Sequence, residues 1–151
     1  MTVTRFAPSP TGDDIHIGNL RMAALNHDLA RREHGIFVLR VEDTANDRLV
    51  PACTERIIGT MKRMGMEPDR IYRQSDNKEL HISIAGDLVR KGKMFEKDGA
   101  IWFPAGEASY TDQRQAIISS SSDPFVCIRS NGEASFIFAY AVHDPLLMEL
   151  G

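Results

Sequence analysis

A histidine, a glycine and an asparagine stand together in His16-Ile17-Gly18-Asn19, where a proline-rich turn gives way to a helical pattern. At such a junction the first backbone N–H groups of the helix lack intrahelical acceptors. The helix dipole adds positive charge there, so the place suits an anion. His16 and Asn19 offer further donors, and Gly18, having no Cβ, lets a flat ring approach the backbone. The chemistry on offer is the holding of an anion beside a flat ring. Taken alone, the spacing suits a surface or helix-capping histidine at least as well.

The elements that must position this junction are legible. Thr2 to Phe6 alternate in the manner of a strand, and Ala7-Pro8-Ser9-Pro10-Thr11-Gly12 ends it and stiffens the turn. Ile17, Leu20, Ala24, Leu25 and Leu29 recur at threes and fours, which predicts a helix, with Gly35 as its stop after Ala30–His34. Ile36-Phe37-Val38-Leu39-Arg40-Val41 is a nearly continuous apolar run, predicting a strand buried on both faces. Strand, helix and strand in that order predict a right-handed βαβ unit.

Two more helices are predicted. One carries Cys53, Ile57, Met61 and Met64, with Pro51 in its first turn, and the other carries Leu80, Ile84, Ala85, Leu88 and Val89 before Gly92. The methionines read as core filler. Beyond Phe95 the chain becomes rich in glycine, serine and polar residues. Ile101-Trp102-Phe103 is its compact apolar run, and Ser119 to Ser122 reads as a loop. Phe125–Ile128 and Ser135–Val142 flank Asn131-Gly132, which predicts a β-hairpin.

Bulk properties exclude several classes. The 151 residues are 42% hydrophobic and 26% charged, ordinary for a folded domain rather than a disordered chain. The net charge of −3 gives the whole chain no electrostatic reason to seek a polyanion, so any RNA contact needs a local patch. The basic residues Arg31, Arg32, Arg56, Lys62, Arg63, Arg90, Lys91 and Lys93 fall where solvated faces and helix C-termini want them. Cys53 and Cys127 form no metal-ligand spacing and read as inert, reduced thiols. No signal peptide or membrane-length apolar run is present, which predicts a soluble cytoplasmic protein.

Several motifs occur in a shared order: Arg5-Phe6-Ala7-Pro8-Ser9-Pro10-Thr11-Gly12, His16-Ile17-Gly18-Asn19-Leu20-Arg21, Leu39-Arg40-Val41-Glu42-Asp43-Thr44 with Arg48, and Gln74-Ser75 ahead of Lys91-Gly92-Lys93. Together they closely resemble glutamyl-tRNA synthetases, with their RFAPSPTG turn, HIGH-class signature and LRIEDTD-like strand. The resemblance covers residues 2 to about 95 and resumes more loosely from Asp123 to Asp144. It implies an α/β fold: the class I synthetase Rossmann-type parallel sheet, incomplete, with a short β-rich insertion. It also implies one domain in three parts: residues 1–95 with the HIGH-type motif, a shortened connective insertion at 96–122, and a hairpin at 123–151 returning to the sheet. The implied piece is a front half, a catalytic fragment or truncated paralogue that stops before the KMSKS loop and the second substrate arginine.

The implied activity is ATP-dependent activation of glutamate to glutamyl-adenylate, followed by transfer to tRNA. Carried over by position, Arg5, Ala7, Ser9, Glu42, Phe136 and Tyr140 bind the amino acid. Arg5 takes a carboxylate and Glu42 the ammonium. His16 and Asn19 are the catalytic pair facing the ATP phosphates and ribose, and Gly18 faces the adenine. The implied partners are ATP with Mg2+, L-glutamate and the tRNA acceptor end; no zinc site and no membrane are expected. Alternative readings pair Arg5 with Glu42, make Asp43 and Thr44 turn caps, and leave Arg48 a solvated charge.

The sequence departs from the family at Asp13 and Asp14, at Ala45 in place of an aspartate, at Phe136 in place of a tyrosine, and at Tyr140 and His143. The open sheet motivates a second reading. In it the chain is a non-catalytic nucleotide- or amino-acid-binding module, or a subunit completing a partner's fold by association over that sheet.

Overall fold

The computed structural model describes residues 1–44, 48–111 and 118–150, which fall into two units, residues 1–77 with 139–151 and residues 78–138. The first unit is built on a parallel sheet of β1 (Val3–Phe6), β2 (Ile36–Val41) and β3 (Arg70–Arg73), with β2 in the middle. β1 pairs with β2 from Val3↔Ile36 to Phe6↔Leu39, and β2 with β3 from Val38↔Arg70 to Val41↔Arg73. Helix α1 (Ile17–Arg32) makes the crossover from β1 to β2, and α2 (Cys53–Arg63) lies between β2 and β3 in the chain. The predicted βαβ unit is present.

Strand alternation sorts this sheet into two faces. One carries Phe6, Phe37, Leu39 and Val41 into an apolar core with Ala23 and Ala30 of α1 and Cys53, Ile57 and Met61 of α2. Burying these side chains against two helices supplies this unit's main stabilisation. The opposite face carries Arg5, Val38 and Arg40 in register, an unusual content for the middle of a sheet.

Helix α1 ends as expected, but for a different reason. The left-handed residue is His34, with φ 50°, rather than Gly35. Gly35 instead lies against β1: a Cβ there would stand 2.1 Å from the Thr2 carbonyl oxygen. Pro51 likewise falls just outside α2, because Ala52 (φ 60°) occupies the N-cap.

The end of α1 is tied to the entry of β3 through Asp69. Arg31 Nη1 donates to both carboxylate oxygens at 3.1 and 3.0 Å, and the Phe37 amide donates at 2.7 Å. Burial pushes the Asp69 carboxyl up, but the bonds from Arg31 and the Phe37 amide outweigh it and hold the pKa below its ordinary value. A carboxylate lowered on folding stabilises above its unfolded pKa and loses that contribution as pH falls through the folded value. Asp69→Asn is therefore expected to lower unfolding free energy by about 0.5–1 kcal/mol at pH 7, because the pair is partly exposed. The gap to wild type should close in urea melts as pH is taken toward about 3, through and below the carboxylate range.

The second unit opens with α3 (Lys78–Arg90) and contains an antiparallel sheet in the order β4 (Phe95–Lys97), β5 (Ala100–Phe103), β8 (Phe125–Ile128). A separate two-stranded ribbon joins β6 (Gly106–Tyr110) to β7 (Ile118–Ser122), so the serine run expected as a loop is a strand. No periodicity announced it; its register is supplied by its partner.

The predicted hairpin is corrected as well. Gly132, at φ 81°, makes the tight turn, and the Arg129 amide donates to the Glu133 carbonyl at 2.8 Å. Only a single bridge, Ile128↔Ala134, follows. The chain then forms a helix, α4 (Phe136–Met148), in place of the second strand. Ser135 Oγ accepts from the Phe138 amide at 3.4 Å, an N-cap bond that starts the helix. Phe138, Ala139, Val142, His143 and Leu147 are buried at helical spacing. A continuous apolar run does not distinguish strand from helix, and here burial along one side decides it. The chain returns to the first unit at Ala139.

Cys53 and Cys127 are both buried and free, and burial pushes the Cys127 thiol up to about 11, away from the reactive thiolate. No helix among the described residues is long and apolar enough to cross a membrane.

Candidate functional site

The turn after β1 is pinned by backbone bonds. The Glu42 amide donates to the Pro8 carbonyl at 3.0 Å, and the Val50 amide to the Pro10 carbonyl at 3.0 Å. Two prolines that cannot donate thus serve as acceptors, and the turn is held across the end of β2. This brings Ser9 to Glu42, with Ser9 Oγ donating to Oε2 at 3.5 Å, the outer limit of a hydrogen bond.

Glu42 is buried, and its partner is Arg40, whose Nη2 donates to Oε1 at 2.7 Å. Arg40 is itself fully buried, and its Nη1 donates to Asp144 Oδ1 at 2.5 Å. Burial holds the Arg40 pKa below the usual guanidinium value, and the hydrogen bond to Glu42 opposes that shift. Arg5 Nη1 donates to the same oxygen of Asp144, and its Nη2 donates to the Tyr140 hydroxyl at 3.0 Å. The Tyr140 ring lies under both guanidinium groups, 5.0 Å from that of Arg5 and 4.6 Å from that of Arg40. Such cation–π contact helps orient both guanidinium groups.

Arg5, Tyr140, Asp144, Arg40, Glu42 and Ser9 therefore form one polar chain across the sheet. Arg5 and Glu42 do not pair directly; Arg40 and Asp144 stand between them. Ala7 is half-buried in the pinned turn. Arg5 and Asp144 border a groove of about 560 Å3 along β1. Phe136 opens α4, belongs to the second unit and is exposed.

The residues at the start of α1 make contacts of their own. His16 is the N-cap of α1, and its Nδ1 accepts from the Gly18 amide at 3.1 Å, so the capping role is real. His16 and Gly18 are exposed and Asn19 is half-buried. Asp14 Oδ1 is occupied by the Ile15 amide at 2.7 Å and by the Thr60 hydroxyl. Arg56 Nε donates to the Asp13 carbonyl. Asp43 fastens the turn after β3, accepting from the Ser75 amide at 2.9 Å and its hydroxyl at 2.7 Å. Arg48 is exposed, and Ala45 lies outside the described residues.

Sequence reasoning assigned no role to Arg40 or Asp144. A charge inside the run Ile36–Val41 was the available signal, since a buried charge requires a counter-ion. Gln74 was quoted only as part of a motif. It is fully buried, and neither its side-chain Nε2 nor its Oε1 has a partner among the described residues. Among the described residues, no group of three or more His, Cys, Asp or Glu side chains could hold a metal ion.

The family described as tRNA synthetases class I (E and Q), catalytic domain, matches residues 1–100. A glutamate–tRNA ligase 2 from Neorickettsia sennetsu is 36% identical over 148 residues, covering 94% of this chain and 36% of that protein. A glutamate–tRNA ligase 1 from Cereibacter sphaeroides is 45% identical over 95 residues, 63% of this chain and 21% of that protein. The chain thus spans about a third or less of these curated relatives. In three dimensions it superposes on a crystal structure of a glutamate tRNA ligase from Elizabethkingia meningosepticum in complex with its amino acid. The TM-score is 0.83 at 21% identity, over 98% of this chain and 42% of that one. At that identity the likeness establishes the fold, the α/β architecture of a class I synthetase catalytic domain. With its motifs in family order on that fold, the chain belongs to the class I tRNA synthetases of the glutamate and glutamine group, as part of their catalytic domain.

Proposed function

We propose that this chain supplies the amino-acid and nucleotide cradle of a glutamate–tRNA ligase. In the reaction, an oxygen of the glutamate α-carboxylate bonds to the α-phosphorus of ATP. The bond to pyrophosphate breaks, and the resulting glutamyl-adenylate donates its acyl group to tRNA. The observation that carries this reading is the paired-charge cluster at the ends of β1 and β2. Arg5 presents a guanidinium suited to a carboxylate, and Glu42, bonded to Ser9, presents an acceptor suited to an ammonium. Ligands of open parallel sheets bind at the carboxyl ends of the strands, which is where these groups stand.

His16, Gly18 and Asn19 at the start of α1 hold ATP, with magnesium entering as part of that substrate. Their contribution is positioning and charge stabilisation rather than covalent chemistry.

The test is thermal unfolding with ATP, magnesium and glutamate. A ligand at a hundred times its dissociation constant adds about 2.7 kcal/mol. For a chain of this size that raises Tm by roughly 5–10 °C. His16→Ala is expected to remove the increment given by ATP. It also removes a helix cap, so the quantity to compare is the shift on adding ATP, not Tm itself. No ATP shift in wild type, or the same shift in His16→Ala, would sink the nucleotide assignment.

A further inference from the structure

Arg5 and Arg40 sit on neighbouring strands, yet both donate to one oxygen, Oδ1 of Asp144. Two guanidinium groups converging on a single carboxylate are the arrangement expected around a bound carboxylate ligand. Here the position is filled by the chain's own residue. Arg40 already has a full counter-ion in Glu42, 2.7 Å away, so Asp144 is the charge partner left to Arg5. Arg5 and Asp144 are partly exposed, with side-chain exposures of 27% and 31%, whereas Arg40 is sealed. A ligand can therefore reach the Arg5–Asp144 bond without opening the core.

We propose that Asp144 is an internal stand-in for the substrate's carboxylate, and that Arg40 stands behind Arg5 as a second guanidinium of that subsite. The inference rests on the amino-acid reading given above and deepens it. Binding exchanges one carboxylate for another: the amino acid's takes the two arginine bonds, and the Asp144 side chain turns toward the groove. A tethered carboxylate competes at an effective concentration of about millimolar or above, so the free amino acid binds more weakly than the arginine pair alone would allow. Neutral ligands that bring no negative charge cannot displace it. Asp144 thereby selects for an anion at this end of the ligand.

Calorimetric titration of the full chain with L-glutamate, in wild type and in Asp144→Asn at fixed ionic strength, tests the exchange. The dissociation constant is expected to fall by roughly tenfold in the variant, because a neutral amide competes poorly for two guanidinium groups. Equal or weaker binding in the variant, or no binding in either protein, overturns the proposal. If circular dichroism shows the variant unfolded, the reading comes from wild type instead. In a protein labelled with 15N-arginine, saturating glutamate must shift the side-chain resonances of Arg5 and Arg40 together. An unmoved Arg40 resonance overturns the proposal. The ATP increment does not pass through Asp144, so its loss in wild type sinks the broader reading separately.

Discussion

Arg40→Ala is expected to lower unfolding free energy by about 3–5 kcal/mol, the range seen when one member of a buried ion pair is removed. Arg40 is 0% exposed, so water cannot replace what the guanidinium gave up. Glu42 loses its 2.7 Å bond and keeps only Ser9 at 3.5 Å, while Asp144 falls back on Arg5 alone. Arg40→Met separates charge from volume. It fills most of the space but still leaves Glu42 buried without its cation, so most of the loss should remain. Adding Glu42→Gln to Arg40→Met removes the stranded charge and should recover part of it, a coupling that a double-mutant cycle reads directly. Equilibrium urea denaturation of wild type, Arg40→Met, Glu42→Gln and the double variant, with Arg40→Ala beside them, is the measurement. Full additivity would mean that Arg40 and Glu42 are not energetically paired.

Gly35→Val is expected to cost a further class of loss, about 2–4 kcal/mol, from backbone crowding rather than charge. Its Cβ would fall 2.1 Å from the Thr2 carbonyl oxygen and 2.9 Å from the carbonyl carbon, both main chain and not able to swing away. That same carbonyl accepts from the Ile36 amide at 2.9 Å and begins the register of β1 on β2. Relief therefore requires the start of the strand pair to part, exposing Phe37 beside it. Gly35→Ala should show nearly the same loss, since the clash is already complete at Cβ. Chemical denaturation checks both, and a loss below half a kilocalorie per mole in either would mean that β1 shifts freely.

Local spacing revealed what local forces decide. The helix α1, the apolar run of β2 and the turn of Ala7–Gly12 are set by neighbours a few residues away and were legible. The face that α1 buries was not: Ile17, Leu25 and Leu29 are exposed, and Ala23 and Ala30 enter the core. The serines of β7 were not, because a strand without alternation takes its identity from the partner across the ladder. Residues 135–142 misled for a related reason: a wholly apolar run satisfies both periods, and only the Ser135 cap and the burial of Phe138, Val142 and Leu147 choose between them. Gly35 was identified as a helix stop, but its need for a missing side chain comes from Thr2, thirty-odd positions earlier. The candidate site divides the same way. Arg5, Ser9, His16 and Glu42 came from motifs. Asp144, by contrast, meets Arg40 across 104 positions and Arg5 across 139, a separation that no window of sequence exposes.

That separation has a consequence for how the molecule is made. A ribosome delivers β1, α1 and β2 long before α4, so nascent Arg5 waits without the aspartate that will neutralise it. Closing so long a chain segment is entropically expensive and slow, and the parallel strands must hold a charged, half-built face open to water meanwhile. Completion of this unit thus waits on α4, and translation stalled upstream of Ala139 would leave Arg5 without Asp144.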